Sequence, residues 1–516
     1  MPAALWNPAT FARLETEILP AYLPTCRWFG GKGRTIRELR VAHAAPLGGL
    51  TDARVLVVEV TFTEGGPESY VLPLSIVDSA TGRHLGDATP QAILARSEDG
   101  RVFCDAIQLP AARAELLRLI ARPVHGDGHI HLTGTSRGDL DEALLERACA
   151  DSRVTGADQS NTSVIYAGRW FLKLFRKYER GPNPDLELTR FLSATQGFSQ
   201  VPAYLGALHL TEPGGDAVIA LLSDFTPHQG DAWSFTLDAV AHYFDRALAS
   251  RAEESTLEEL IGPDYLNRAR QLARRTAEMH LALAAGEAHP DFAAEPFSAG
   301  DQRAIYEAMR ESASRVLGQL RDQAASLSPD LRSAAAEIAG SQSRIDAILA
   351  RLLSHPIHAA KLRVHGDYHL GQVLNTGTDF VILDFEGEPR RPLAERRLKR
   401  SPLVDVAGML RSFDYAGAVA LGLRSPSDAE RLARWARGWV ETVSAHFRKT
   451  YLTLTVGAAF LPADPADVDL LLQVFILDKA IYEIGYELSY RPAFLPVPLG
   501  AVGRLLAGKA ERPGIV

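Results

Sequence analysis

Cysteine is scarce in this 516-residue chain: Cys26, Cys104 and Cys149 are odd in number, far apart and form no C-x-x-C pair. That pattern argues against a disulfide framework or a thiolate zinc site, and it fits a reducing compartment. No stretch approaches the ~18 uninterrupted apolar residues of a membrane span. The opening "MPAALWNPATFARLE" also lacks the basic segment and long apolar run of a secretory leader, so a cytoplasmic protein is expected. Charge of one sign is not in large excess. The 55 Lys and Arg against 63 Asp and Glu give a net charge of -8, which removes any electrostatic reason to expect nucleic acid or an anionic membrane as partner. No internal repeat is visible.

What is present is an ordinary globular composition, 46% hydrophobic and 23% charged, on a chain too long for one compact core. Three parts are expected, at 1–95, 96–225 and 226–516. The first mixes a short helix, "FARLETEILPAYL", with the β-rich runs "RVLVVEVTF" and "SYVLPLSIV" on either side of a Gly65–Pro67 turn. Residues 96 to 150 read as mainly helical, through "AARAELLRLIA" and "LDEALLERACA". A second β-rich unit follows: "TSVIYAGRWFLKLFRK" reads as two strands turning at Ala167 and Gly168. In "NPDLELTRFL", Asn183 is placed to cap a helix that Pro184 begins. Strands return at "DAVIALLSDF", and from about Asp231 the chain is mostly helical.

One stretch in the helical part carries chemistry. "VHGDYHLGQVL" holds Asp367, with Gln372 five residues later and Asp384 seventeen residues later. "QVLN" and "FVILDFE" read as strands around a Thr376-Gly377-Thr378 turn, so a hairpin would return Asp384 to the loop of Asp367 and Gln372. A carboxylate base beside two oxygen ligands for magnesium suits phosphoryl transfer, in which positioning and charge stabilisation supply most of the catalysis. The order H-x-D-x-x-x-x-N then D-F-G of kinases is matched by His365-Gly366-Asp367, Gln372 and Asp384-Phe385-Glu386, with Gln for Asn and Glu for Gly.

The nucleotide end of such a site is expected upstream. Lys173 is the single charge in the apolar strand "WFLKLF", and Glu187 on the next helix is its expected counter-charge, the pair holding nucleotide phosphates. "GADQSNTS" stands where a phosphate-covering loop belongs. It lacks G-x-G-x-x-G, so Ser160, Asn161, Thr162 and Ser163 would bind through hydroxyls and backbone N–H groups. Asp224, in "LLSDF", falls at the expected hinge around adenine.

Each residue also has a plainer reading. H-G-D can cap a turn, a lysine on an apolar strand can snorkel to water, and a strand-end Asp384 can cap the turn after it. His280, in "RRTAEMHLAL", reads as a core histidine, whereas His369 is open between supporting Asp367 and touching substrate. Asp405 reads as a structural group, either capping its helix or accepting backbone N–H bonds from the loop. The basic run over 390–400 is either a solvated face or a phosphate or partner contact. In "DKAIYEIGYELSY", Lys479, Tyr482, Glu483 and Tyr486 share one helical face suited to a sugar, the alternative being an exposed amphipathic helix. The ordered set Lys, Glu, Asp, Gln, Asp favours the phosphotransferase reading.

The chain resembles bacterial maltokinases, in the aminoglycoside-phosphotransferase-like branch of the eukaryotic-like kinases. The likeness runs through "LPTCRWFGGKGRTI", "SNTSVIY", "NPDLELTRFL", "RRTAEMHLAL", "VHGDYHLGQVL", "ILDFEGEPRRPLAERRLKRSPLVDVAGMLRSFDYA" and "LDKAIYEIGYELSYRP", nearly the whole chain. It implies an α+β, bilobal kinase fold: a β-rich N-lobe extended by an N-terminal cap, carried by "WFGGKGR", and a mainly helical C-lobe. It implies ATP and Mg2+ as cofactors, and transfer of phosphate to the anomeric hydroxyl of maltose for α-glucan synthesis. Carried over by position, Asp367 is the base, Gln372 and Asp384 hold the metal, Lys173 and Glu187 hold ATP, and Glu386 adds a metal or substrate contact. Trehalose synthase, to which such kinases are often fused, is the implied protein partner. Two rival readings remain: a kinase for another sugar such as glucosamine, with the same ATP-site residues, and a pseudokinase serving as a carbohydrate-binding scaffold. The intact Lys173, Asp367 and Asp384 speak against the second.

Overall fold

The computed structural model describes residues 5–123, 130–138, 140–156, 160–250, 255–286, 288–389 and 391–508. The chain forms two compact units, residues 1–195 with 202–226, and residues 196–201 with 227–516.

The first unit is built on two antiparallel sheets. Strands β1 (Ile36–Leu47), β2 (Leu50–Phe62), β3 (Glu68–Val77), β4 (Ile93–Arg96) and β5 (Val102–Asp105) form a sheet of order β1-β2-β3-β5-β4. The second sheet contains β6 (His131–Ser136), β7 (Ser152–Val154), β8 (Asn161–Tyr166), β9 (Trp170–Phe175), β10 (Tyr204–Glu212) and β11 (Gly215–Asp224), in the order β6-β10-β11-β9-β8-β7. β8 and β9 turn at Ala167 and Gly168, whose φ values of 49° and 62° give the left-handed pair a tight two-residue turn requires.

Residues 96–150 correct the sequence reading. They hold the expected helices, α1 (Pro110–Ala121) and α2 (Glu142–Ala150), but also strands β5 and β6. β5 is four residues long with every side chain buried, too short to show an alternation. β6, "HLTGTS", has one strongly apolar residue and owes its conformation to pairing with β10. A buried ion pair ties the two sheets: Arg176 donates to Asp105 Oδ2 at 2.6 Å and to Thr162 Oγ1 at 2.8 Å. Helix α3 (Pro184–Arg190) starts as its sequence dictates, with Asn183 Oδ1 accepting from Leu186 N at 3.1 Å and Pro184 in the first turn.

The second unit is mainly helical. Its long elements are α4 (Ala232–Ala249), α5 (Pro263–Ala284), α6 (Ala299–Gln323), α7 (Leu403–Gly422), α8 (Pro426–Leu454), α9 (Pro465–Tyr490) and α10 (Pro496–Leu506). A two-residue pair joins β12 (Glu295–Pro296) to β13 (Ala360–Lys361), and a short hairpin joins β14 (Val373–Asn375) to β15 (Phe380–Ile382). Among the described residues no helix is long and apolar enough to cross a membrane.

Candidate active site

The hairpin is where the spacing put it. Val373 faces Ile382, Leu374 faces Val381 and Asn375 faces Phe380, so the chain leaves β15 beside the point at which it entered β14. Leu383 N then donates to Gln372 O at 2.9 Å, and Gln372 Nε2 donates to Asp384 Oδ2 at 2.8 Å. Gln372 and Asp384 are thus in direct contact. Asp384 has a φ of 63°, in the left-handed region, where few residues other than glycine sit without strain.

Asp367 is held in place from below by helix α7. Asp405, buried near its start, accepts His365 N at 2.8 Å and Gly366 N at 2.9 Å. One turn on, Gly408 lies against the loop backbone, and a Cβ there would stand 2.5 Å from the Tyr368 carbonyl oxygen. A further turn on, Ser412 Oγ accepts Leu370 N at 3.1 Å. Three residues at helical spacing therefore fix three points of one loop. The fully buried His280 completes the support: its Nε2 donates to Asp405 Oδ2 at 3.1 Å while Nδ1 meets the Tyr451 hydroxyl at 2.8 Å. Burial pushes the Asp405 carboxyl up, but the His280 bond and charge, His365 and the Gly366 N–H together hold it below its ordinary value.

The two loop histidines have separate tasks. His365 Nε2 donates to Leu383 O at 2.8 Å, tying the loop to the strand end that carries Asp384. Its ring lies 4.9 Å from that of Phe385. His369 caps the single turn Leu370–Gln372, its Nδ1 accepting Gly371 N at 3.1 Å. Burial lowers its pKa, so the neutral ring that accepts this bond is favoured.

Helix α9 brings a partner for Asp367. Lys479 Nζ stands 3.1 Å from Asp367 Oδ1. Burial raises the Asp367 carboxyl, but the charge and hydrogen bond of Lys479 lead the influences that outweigh it, and the net displacement is downward. Lys479 is displaced upward, because Asp367, Glu388 and Glu483 together exceed its desolvation. The pair is charged at neutral pH. The rest of that helix face divides. Glu483 is buried and accepts Arg411 Nη2 at 2.6 Å and Nε at 3.0 Å. The rings of Tyr486 and Tyr490 lie 5.2 Å apart, tilted by 36°, and Arg491 lies over the Tyr486 ring at 5.0 Å. Tyr482 lies under Lys479, 5.1 Å from ring centre to Nζ. Glu386 follows Asp384 in the same turn, and its carbonyl accepts from Arg396 at 3.3 Å.

Most of the basic run is spent locally. Lys399 pairs with Glu295 at 2.8 Å, Arg391 lies 3.7 Å from Glu388 and 3.8 Å from Glu395, and the Arg400 backbone bridges to Leu362. Arg390 lies outside the described residues.

In the first unit, Lys173 rises from β9 and its Nζ is 2.8 Å from Asp185 Oδ2. Asp185 was missed by the sequence reading. It sits two residues before Glu187 in the first turn of α3, where periodicity alone does not separate two carboxylates so close together. Glu187 is half-buried on the same helix. Of the four residues assigned to a phosphate loop, Asn161, Thr162 and Ser163 are buried in β8, and the Thr162 hydroxyl is held by Arg176. Ser160 is exposed just ahead of the strand, while 157–159 lie outside the described residues. Asp224 ends β11, and burial raises its carboxyl against the lowering effect of Arg169 and Arg137.

The donor set of the second unit fits a hard divalent cation. Gln372 and Asp384, an amide and a carboxylate in direct contact, are oxygen donors of the type magnesium takes.

Known proteins resemble this chain along much of its length. Residues 22–108 match the maltokinase N-terminal cap domain. The chain is 29% identical over 393 residues to a glucosamine kinase of Streptacidiphilus jiangxiensis, covering 73% of this chain and 81% of that one. It is 28% identical over 356 residues to a glucosamine kinase of Mycolicibacterium smegmatis, covering 68% and 78%. The chain is a phosphotransferase. Its fold is shared with glucosamine kinase in complex with glucosamine, ADP and inorganic phosphate, at a TM-score of 0.62 and 21% identity, covering 94% of this phosphotransferase and 97% of that chain. A crystal form of glucosamine kinase gives a TM-score of 0.64 at 22% identity, covering 95% and 99%. The fold class read from the sequence, α+β of the kinase type with an N-terminal cap, holds.

Proposed function

We propose that this chain is an ATP-dependent sugar kinase and that its acceptor is the anomeric hydroxyl of maltose. The observation that carries the reading is the union of Asp367, Lys479, Gln372 and Asp384 in one unit. Asp367 would orient the acceptor hydroxyl and take its proton. Lys479 would keep that carboxylate ionised until the hydroxyl is in place. Gln372 and Asp384 would hold magnesium, which when bound neutralises phosphate charge. Lys173, positioned by Asp185 and Glu187, would hold the phosphates of ATP, with Ser160 and Asp224 as further nucleotide contacts.

Two features support a neutral disaccharide. A charged Lys479 beside the base disfavours a cationic amino sugar at that point. Along α9 from Lys479 to Tyr486 is seven residues, about 10 Å at 1.5 Å per residue, close to the length of two pyranose rings, and the Tyr486–Tyr490 pair offers an aromatic surface at the far end. The trehalose synthase partner belongs to this same reading. A second reading, glucosamine as acceptor, is favoured by the names of the relatives.

An ATP-consumption screen over maltose, glucose, glucosamine and aminoglycosides tests the proposal, with Asp367→Asn as control. Turnover of maltose well above glucosamine is expected. Glucosamine ahead of maltose would replace the acceptor, and undiminished turnover in Asp367→Asn would remove the mechanism.

A further inference from the structure

A cavity of about 1100 Å³ opens within the second unit among α7, α8, α9 and α10, and its lining includes no residue of the Asp367 loop, the β14–β15 hairpin or Lys479. Its volume is that of a site for a small molecule of disaccharide size or larger. Five arginines line it, at 351, 411, 437, 448 and 504, against three carboxylates, Asp414, Glu441 and Asp469.

The arginines are not equally engaged. Arg411 is held by Glu483 and Asp414, Arg504 by Asp414 at 2.7 Å, and Arg448 by Asp469. Arg351 meets a neutral group, the Gln473 side-chain oxygen at 2.6 Å. Arg437, exposed on α8, has no ion pair or hydrogen bond among the described residues. Arg448 Nε is buried without a partner. Two guanidinium groups thus stand without a carboxylate, and a third has an N–H to spare. Guanidinium groups bind phosphate through paired N–H donors.

The remaining lining selects what the phosphate is attached to. None of the lining residues is aromatic, so there is no ring on which a nucleobase would stack. Gln473, Thr442 and Ser444 supply donors and acceptors suited to hydroxyl groups, above an aliphatic floor.

We propose that this cavity is a binding site for a phosphorylated sugar, separate from the site around Asp367. The binding does not depend on the kinase reading. Isothermal titration of the full chain with glucose 1-phosphate tests it, alongside Arg437→Glu and Lys479→Ala. The expected result is a binding site whose affinity Arg437→Glu lowers by about tenfold or more and Lys479→Ala leaves unchanged. Arg437 is exposed, so its variant should keep the parent melting temperature; if it does not fold, Arg351→Glu serves as the same test. No binding, binding indifferent to the arginine variant, or binding lost in Lys479→Ala would overturn the proposal.

Discussion

Lys479 Nζ and Asp367 Oδ1, 112 residues apart in sequence, stand 3.1 Å apart. The lysine lowers the carboxyl against the effect of burial. Lys479→Met leaves burial as the largest influence, so the Asp367 pKa rises. The proposed chemistry needs the ionised carboxylate, so the acid limb of the pH–rate profile is expected to move to higher pH in Lys479→Met. Asp367→Asn removes the proposed base, and a loss of about 10²- to 10⁴-fold in kcat is expected. An acid limb left in place by Lys479→Met would separate the lysine from the base.

In the proposed function, Asp384 and Gln372 would hold the metal together. Asp384→Ala is expected to abolish magnesium-dependent turnover while calorimetric binding of the sugar survives. Chelation of magnesium in the parent should reproduce the variant. Turnover by Asp384→Ala in the presence of chelator would contradict the assignment.

Asp405 accepts two backbone N–H groups and faces His280 in a fully buried setting. Removing one partner of such a network leaves the others unpaired, so Asp405→Ala should cost about 3–5 kcal/mol in urea unfolding. Its folded pKa lies below the unfolded value of about 3.9. The stability it supplies is therefore complete above that value and is lost as pH falls through the folded pKa. Parent and Asp405→Ala melting curves should converge in acid and stay apart at neutral pH.

Lys173 and Asp185 form an ion pair in the first unit at 2.8 Å. Lys173→Met and Asp185→Asn should each raise KM for ATP about tenfold or more. Residues in contact couple, so the double variant should fall short of the sum by about 0.5–3 kcal/mol. Strict additivity would mean that Asp185 does not position the lysine.

The sequence disclosed the parts of the site that are close together along the chain. Asp367, Gln372 and Asp384 fall within eighteen residues, and the turn residues at Thr376–Thr378 made the hairpin readable. The helix start at Asn183-Pro184 was equally plain, because a cap is a local device. Contacts across long separations were not readable: Lys479 meeting Asp367, and His280 meeting Asp405 across 125 residues. The face of α9 showed polar residues in a row. It did not show that Glu483 turns inward to Arg411 while Lys479 turns to the loop. β6 was missed because its sequence has no alternation, and β10 supplies the pairing that makes it a strand.

Gly408 gives the site a fixed depth. Where helix and loop touch, there is no clearance even for a methyl group, since a Cβ would stand 2.5 Å from the Tyr368 oxygen. The loop that carries Asp367 cannot be lowered toward α7, and any side chain at 408 would lift it. Re-engineering this kinase toward a larger or smaller acceptor therefore has one wall to work with and one to leave alone. On the proposed reading, changes belong along α9, at Tyr482, Tyr486 and Tyr490, while α7 would be the datum from which the reacting hydroxyl is measured.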